Sequence, residues 1–310
     1  MIFTVTLNPS LDYIVRTHRL TPGALCRTQN EALYPGGKGV NVSLMLARLG
    51  LPSRATGFLA GDTGALFEKL LHSSMIEQDF VQLPAGRTRI NVKVRADGET
   101  ELNGAGPAVG EAALGSLGER LDALQPGDWL VLSGSVPPGL PVNIYARLIA
   151  RAAKKGAKTV VDTSGDALTH ALSGSPALVK PNLDELGAAV GRPLRTPEEA
   201  ATASAALQRA GAKAVLVSMG GAGALLLPED GGALLAAAPA GQARNTVGAG
   251  DAMVAAYLTA AAHGLSTADT LRYAVAAGSA AAFCDWLPER DAVETLFAQI
   301  DSPRPVCYNK

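Results

Sequence analysis

Short apolar runs rich in β-branched residues alternate with amphipathic segments along most of this chain. The runs predict buried strands, and the segments with apolar residues every three or four positions predict helices. Such an alternation favours a mostly parallel sheet with helices on both faces, so the predicted fold class is α/β, a three-layer α/β/α sandwich. The predicted strands are 2–7, 53–59, 128–133, 157–162, 177–181 and 213–219, and the predicted helices include 40–49, 63–71, 111–124, 143–154 and 197–210.

Two segments interrupt this alternation, residues 10–34 and 86–104. The second contains two strand-like runs joined at Asp97-Gly98, a pair typical of a tight hairpin turn. In its first run, Arg89, Asn91 and Lys93 share one face and apolar residues share the other. We predict a β-lid with its polar face toward a cleft and its apolar face against a second subunit, which gives a homodimer. The predicted boundaries are 10–34 and 87–104 for the lid, and 1–9, 35–86 and 105–310 for the main domain.

The charge balance argues against several classes of partner. The chain has 27 basic and 28 acidic residues, a formal net charge of −1, so neither nucleic acid nor an anionic membrane is expected to bind. Three scattered cysteines are too few for a disulfide framework or a zinc site, which predicts a reduced, cytoplasmic setting. The first residues, MIFTVTLNPS, are typical of a strand and not of a cleaved leader. The most apolar stretch, residues 273–287, is too short to span a bilayer.

The stretch RNTVGAGDAMV places a carboxylate where the chain otherwise suits an anion. Gly248 and Gly250 allow a ligand to approach the backbone closely, and the helix predicted after them has free N–H groups in its first turn. Asp251 stands at that point. Taken alone, it is either an ordinary helix-start aspartate or a group that takes part in chemistry on a bound phosphate.

Two further stretches have the same ambiguity. In YPGGKGVNV, Lys38 is either a solvated lysine or the partner of an anion at a helix N-terminus, and Asn41 is either a cap or a neutral donor. In VKPNLDE, Asn182 and Glu185 share one helix face after a strand. Glu185 there either complements the helix dipole or holds a hydrated Mg²⁺.

Two turns complete the set of candidate stretches. SMGGAGALLL combines a strand end, a glycine turn and a return strand, and is either a plain hairpin or a surface for a nucleotide. LSGSVPPG contains Ser133 and Ser135 at the end of a buried strand. These serines either form a turn or place hydroxyl groups in the crevice where α/β folds bind ligands.

In their order along the chain, these stretches resemble the ribokinase-like carbohydrate kinases of the PfkB type, over nearly the whole length. The strongest matches are GGKGVNV and NTVGAGDAMV, while TLNPSLD, GRTRINVKV, LSGSVPPG and LVKPN resemble the sugar-phosphate branch, which includes the 1-phosphofructokinases. The resemblance implies a ribokinase-like fold and transfer of the γ-phosphoryl group of ATP, with Mg²⁺, to a sugar hydroxyl. The acceptor that it implies first is D-fructose 1-phosphate, at the 6-hydroxyl. Tagatose 6-phosphate and fructose 6-phosphate are the alternatives.

The same resemblance implies a role for each motif residue. Asp251 is the implied general base, beside the backbone N–H groups of Gly248, Ala249 and Gly250. The sugar phosphate is implied at Asp12, Arg27, Gly37, Lys38, Asn41, Arg89 and Ser135, the nucleotide at Lys180, Asn182, Ser218, Gly220, Gly223 and Val247, and the metal at Glu185. A basic lid face also suits a substrate that already carries a phosphate. Ribose and nucleosides are uncharged and would not need it.

One stretch departs from the family pattern. Many relatives have a glycine-containing loop near the C-terminus that helps to hold a monovalent cation, whereas this chain has FCDWLPE at 283–289. A potassium requirement is therefore doubtful, although Asn245 and Val247 stand where backbone ligands would come from. From a different class, a non-catalytic sugar-phosphate sensor on the same fold is the alternative. Asp251 together with Glu185 argues against a sensor, which needs neither a base nor a metal carboxylate.

Overall fold

The computed structural model describes residues 1–308, and its elements follow the predicted alternation. The strands are β1 (Ile2–Thr6), β2 (Ser10–Arg16), β3 (Asn30–Gly36), β4 (Ser53–Ala60), β5 (Ile76–Gln78), β6 (Val81–Leu83), β7 (Arg89–Arg95), β8 (Glu99–Asn103), β9 (Trp129–Ser133), β10 (Lys158–Asp162), β11 (Leu178–Val179), β12 (Ala214–Ser218), β13 (Ala224–Leu227), β14 (Ala233–Ala236) and β15 (Arg304–Val306). The helices are α1 (Lys38–Arg48), α2 (Gly61–Leu70), α3 (Glu111–Leu121), α4 (Ile144–Lys154), α5 (Gly165–Leu172), α6 (Leu183–Ala189), α7 (Pro197–Arg209), α8 (Ala249–Ala262), α9 (Thr267–Phe283) and α10 (Arg290–Phe297).

The main sheet runs in the order β15-β14-β13-β12-β11-β10-β9-β1-β4-β5, with β6 beside β4. The strands from β12 to β5 pair in parallel, and β13, β14 and β15 extend one edge in antiparallel fashion. The register places Thr6, Ser133 and Asp162 side by side at the carboxyl ends of β1, β9 and β10. The loops after these strands therefore form one rim, the edge at which open α/β sheets bind ligands.

An apolar layer covers each face of this sheet, which confirms the predicted sandwich. One layer contains buried residues of α3, α4, α5, α6 and α7, with Tyr145 fully buried among them. The other contains residues of α1, α8 and α9. Because α8 is apolar on every side and rich in alanine, it lies close to its neighbours in this layer. This packing fixes the start of α8 at the carboxyl rim.

A separate four-stranded sheet has the order β3-β2-β7-β8. Strands β7 and β8 are the antiparallel hairpin predicted from the sequence, and β2 pairs with β7 in parallel, with Asp12 opposite Asn91. We call this sheet the lid. Its strand β3 continues to Gly36, two residues beyond the predicted end of the first lid segment. On the face away from the cleft, Ile90 and Leu102 are 46% and 62% exposed.

The short strands β5, β6, β14 and β15 and the helix α5 lie outside the predicted elements. Strands of three or four residues contain too little alternation to be recognised, because their pairing partners decide their conformation. In the part of the chain that the structure describes, no helix is both long enough and apolar enough to cross a membrane.

Candidate active site

A cleft of about 1640 Å³ lies between the carboxyl rim of the main sheet and the polar face of the lid. Most predicted site residues line it: Asp12, Gly37, Lys38, Asn41, Arg89, Ser135, Lys180, Asn182, Glu185, Ser218, Gly220, Gly223, Val247, Gly248, Ala249, Gly250 and Asp251. Arg27 is the exception. It lies exposed in the loop between β2 and β3 and does not line the cleft.

Asp251 lies in the first turn of α8 and is only 4% exposed. Gly248 precedes the helix with φ of 82°, a left-handed conformation that favours glycine. Within the described residues, the backbone N–H groups of Gly250 and Asp251 have no acceptor. The N–H group of Ala249, which the resemblance implied as a further free donor, instead donates to the carbonyl oxygen of Thr246 at 3.3 Å. The amide of Asn41 donates to Oδ2 of Asp251 at 2.8 Å. One carboxylate oxygen is thus held in place, and the other is available to a ligand.

The surroundings of Asp251 make it more basic than an ordinary aspartate. Burial and the nearby charge of Asp162 raise the pKa of its carboxyl group from 3.8 to about 6. The charges of Lys38 and Lys180 and the hydrogen bond from Asn41 oppose this shift without cancelling it. A carboxyl group with this pKa is ionised at neutral pH and still accepts a proton readily, as a general base must.

Asp162 is a site residue that the sequence motifs did not indicate. It is 1% exposed at the end of β10, and its Oδ1 lies 3.0 Å from Nζ of Lys38 and 3.4 Å from Nζ of Lys180. Burial raises the pKa of Asp162, but Lys180 and Lys38 outweigh it, so that this pKa lies below its usual range. The second oxygen, Oδ2, is buried and forms no hydrogen bond with any residue that the structure describes.

Asn182 and Glu185 form a reciprocal cap at the start of α6. Oδ1 of Asn182 accepts from the N–H of Glu185 at 2.7 Å, and Oε2 of Glu185 accepts from the N–H of Asn182 at 2.8 Å. The other oxygen of Glu185 lies 4.0 Å from Nζ of Lys38. The capping role and the ligand-facing role are therefore compatible, because each uses a different carboxylate oxygen.

The glycine turn after β12 lies at the nucleotide end of the cleft implied by the family resemblance. Gly223 has φ of 96°, and a Cβ at this position would overlap the carbonyl oxygen of Ala236. A Cβ at Gly250 would lie 2.8 Å from Nζ of Lys180. The absence of side chains at these two glycines thus allows the carbonyl of Ala236 to approach Gly223, and the buried Lys180 ammonium to lie against the first turn of α8.

The lid contributes charged groups at the other end of the cleft. Oδ2 of Asp12 pairs with Nζ of the buried Lys93 at 3.1 Å, and Oδ1 accepts from Ser10 and Asn91. Arg89 donates instead to the carbonyl oxygens of Asn8 at 3.1 Å and Gly104 at 3.2 Å. Burial lowers the pKa of Arg89, and the charge of Asp12 opposes this. Among the described residues, no carboxylate forms an ion pair with Arg89.

The cleft therefore combines a raised-pKa carboxylate, free N–H groups at a helix start and buried cations. Phosphoryl transfer requires this combination: alignment of two substrates, a proton acceptor and donors already in place for the moving negative charge. No cluster of three or more His, Cys, Asp or Glu side chains that could hold a metal occurs within residues 1–308. A metal here would be shared with substrate phosphates, as is usual for Mg²⁺.

Comparisons with known proteins agree with this geometry. The model of the family described as pfkB family carbohydrate kinase matches residues 5–285. The chain is 40% identical to the 1-phosphofructokinase of Bacillus subtilis over 98% of this chain and 100% of that protein. It is 38% identical to the D-tagatose-1-phosphate kinase of Bacillus licheniformis, over 97% of this chain and 98% of that protein. The structure of phosphofructokinase-2 from Escherichia coli with substrates and products is similar at a TM-score of 0.91 and 34% identity, covering 96% of this chain and 98% of that one.

Proposed function

Since the chain belongs to the pfkB family of carbohydrate kinases, and is an ATP-dependent phosphotransferase with an alcohol as acceptor, we propose that it phosphorylates D-fructose 1-phosphate. The γ-phosphoryl group passes to the 6-hydroxyl, and the product is fructose 1,6-bisphosphate. The similarity to a 1-phosphofructokinase over the full chain supports this acceptor.

The observation that carries the proposal is the environment of Arg89. This guanidinium lines the cleft from the lid and bonds only carbonyl oxygens. A partly buried cation without a carboxylate partner favours an anion, and a guanidinium matches two phosphate oxygens at once. A phosphate at one end of a ketohexose, bound at the lid, would direct the opposite hydroxyl toward Asp251.

In the proposed mechanism, Asp251 accepts the proton of the 6-hydroxyl as the hydroxyl oxygen attacks the γ-phosphorus. The bond between the γ-phosphorus and the bridging oxygen of the β-phosphate breaks, and ADP leaves with that oxygen. Asn41 keeps the carboxylate oriented through its bond to Oδ2. The free N–H groups of Gly250 and Asp251 and the Lys180 ammonium stabilise the negative charge on the phosphoryl oxygens during transfer. The lid covers the sugar and excludes water, which limits hydrolysis of ATP.

We propose Mg²⁺ as the divalent cofactor. Oε1 of Glu185, which is not used in the helix cap and lies 4.0 Å from Nζ of Lys38, is a hard oxygen donor that fits an ion bound mainly by phosphates and water. When bound, the ion neutralises phosphate charge. A potassium requirement is not part of the proposal, because residues 283–289, FCDWLPE, lack the glycine of the loop that helps to hold a monovalent cation in many relatives.

We further propose a homodimer formed through the lid. Ile90 and Leu102 are exposed on the lid face opposite the cleft, and apolar side chains on a sheet face are stabilised by a covering surface. The E. coli phosphofructokinase-2 has been described in a tetrameric inhibited form, so sedimentation with and without ATP would test the dimer.

The experiment that tests the acceptor is ADP release with fructose 1-phosphate, tagatose 1-phosphate, tagatose 6-phosphate, fructose 6-phosphate, ribose and adenosine. Highest kcat/KM with fructose 1-phosphate supports the proposal. Preference for tagatose 1-phosphate, which differs only at the 4-hydroxyl, would favour the function of the B. licheniformis relative. Preference for ribose would refute the phosphate argument.

A pair of arginine variants sharpens this test. Arg89→Gln should raise the KM for fructose 1-phosphate by roughly 10- to 100-fold, the effect of losing a charged hydrogen bond. The KM for ATP should change little. Arg87→Gln is the matched control, because Arg87 is exposed outside the cleft. Equal effects of the two substitutions would contradict the assignment of Arg89.

A further inference from the structure

Residues 284–289, which connect α9 to α10, contact both the lid and the catalytic turn. We call this segment the bridging loop. On the lid side, the Trp286 ring stacks on Tyr34 of β3 with 4.3 Å between centroids and 22° between planes. Beside it, Oδ1 of Asp285 pairs with Arg16 at the end of β2 at 2.6 Å. Two neighbouring lid strands are thus joined to one loop.

On the catalytic side, the same loop holds the turn before α8. The buried Asn245 donates to the carbonyl of Asp285 at 3.2 Å and accepts from the N–H of Val247. The side chain of Leu287 lies against Gly248, where an added Cβ would come within 3.2 Å of it. Since Gly248 is the residue before the helix of Asp251, the loop supports the position of the base.

A third element, α1, anchors the loop to the main domain. The Arg48 guanidinium lies 5.1 Å from the centre of the Trp286 ring, donates to the carbonyl of Leu287 and pairs with Glu289 at 3.1 Å. The same helix contains Asn41, which bonds Asp251. The bridging loop is therefore fixed relative to the catalytic groups. Movement of β3 away from the bridging loop would break the stack between Tyr34 and Trp286.

We propose that Trp286 is a positioning residue that couples closure of the lid over the sugar phosphate to the geometry of the catalytic turn, an inference that rests on the proposed kinase function. The lid binds the sugar end through Asp12 and Arg89. The stack then fixes the position of the lid relative to the bridging loop. The loop in turn fixes the positions of Gly248 and Asp251. Without the indole ring, the lid and the turn close independently, and water reaches ATP when the sugar is misaligned.

The first test compares Trp286→Ala with Trp286→Phe, which retains an aromatic ring for Tyr34. We expect Trp286→Ala to lower kcat/KM for the sugar phosphate about tenfold and to raise ATP hydrolysis relative to sugar phosphorylation. Trp286→Phe should restore most of both values. Thermal unfolding of each variant distinguishes a loss of coupling from a loss of folded protein. Wild-type kcat/KM and wild-type coupling in a folded Trp286→Ala protein would overturn the proposal.

The second test is a double-mutant cycle. If Trp286 acts through the stack, Tyr34→Ala should cause a similar loss of coupling, and the protein with both substitutions should be no worse than either single variant. Losses that multiply in the double variant would show that the two rings act separately, against the proposal.

The third test uses fluorescence and does not depend on turnover. The chain has two tryptophans, and Trp129 lies at the start of β9, at the amino end of the sheet, over Lys158. Trp129→Phe therefore leaves Trp286 as the only reporter. Its emission should change on addition of sugar phosphate without ATP, and an unchanged emission with a bound acceptor refutes the coupling. If ADP release identifies another acceptor, the proposed substrate is wrong. The same fluorescence titration with that acceptor then still tests the proposed role of Trp286.

Discussion

The burial of Asp251 predicts that removing its charge makes the protein more stable and nearly inactive. The pKa of this group is raised from 3.8 to about 6, and each pKa unit corresponds to about 1.4 kcal/mol. Ionised Asp251 therefore lowers the free energy of unfolding by about 3 kcal/mol at pH 8. Asp251→Asn keeps the shape of the side chain and an oxygen that accepts from Asn41. We expect it to stabilise the fold by up to that amount and to lower kcat roughly 1000-fold, as for loss of a general base.

The sign of this effect gives it a characteristic pH dependence. A carboxyl group whose pKa is higher in the folded protein binds a proton more readily when folded, so its destabilising effect grows as the pH rises from about 4 to 6. Above about pH 7 the difference between the two proteins is constant, and at pH 5 it falls to about half of that value. Below pH 4 it disappears, because both states are protonated.

The measurement is thermal or urea unfolding of both proteins at pH 5 and pH 8. Asp166→Asn is the matched control, since Asp166 is an exposed aspartate in the first turn of α5. This control should change the free energy of unfolding little at either pH. A variant at Asp251 that is no more stable than wild type at pH 8, or whose advantage does not shrink at pH 5, would refute the reasoning. So would wild-type activity.

Three further predictions follow from other contacts in the cleft. The kcat/KM of the wild type should fall as the pH drops through about 6, because the proposed base must be ionised. In Asp162→Asn this fall should occur at lower pH, since the charge of Asp162 no longer raises the pKa of Asp251. A fall at the same pH in both proteins would contradict the interaction between the two carboxyl groups. Gly223→Ala should raise the KM for ATP and lower the Tm, since its Cβ would overlap the carbonyl of Ala236. Gly115→Ala, in α3 outside the cleft with open space around the added Cβ, should leave the KM for ATP unchanged and should not lower the Tm. Lys93→Met should lower the free energy of unfolding in urea by roughly 3 kcal/mol, because it removes the ammonium group that lies 3.1 Å from the Asp12 carboxylate. Adding Asp12→Asn to this variant should recover much of that loss. A further loss in the double variant would contradict the stabilising role of this ion pair.

The sequence alone is sufficient to predict the strands that position the site, because each is a run of apolar, β-branched residues between residues typical of turns. β10 and β12 are examples, and their parallel pairing follows from the helices between them. The glycine turns could also be recognised, since glycine before a helix start is needed for a positive φ such as that of Gly248. Each of these patterns can be recognised within about ten residues of sequence, without knowledge of distant contacts.

The remaining parts of the site depend on contacts between distant positions. An aspartate at the end of a buried strand is common, and nothing near Asp162 in the sequence shows that Lys38, 124 residues away, will pair with it. The pair of Arg16 and Asp285 joins residues 269 positions apart. The place of Asp162 at the carboxyl end of a predicted parallel strand was a usable signal. No such rule indicates the stack on Trp286, because an aromatic residue in a loop has many possible partners.

Asp162 also explains how a carboxylate can act within a site built for phosphates. Its charge holds Lys38 and Lys180 by ion pairs of 3.0 and 3.4 Å, so these cations are partly neutralised before any substrate binds. Without Asp162, the two lysines would stabilise ionised Asp251 and lower its pKa, and a less basic carboxylate accepts a proton from a sugar hydroxyl less readily. With Asp162 present, the lysines remain in the cleft for the phosphate oxygens, and Asp251 keeps a pKa near 6. In the proposed mechanism, one buried acid would thus maintain both the cations and the base.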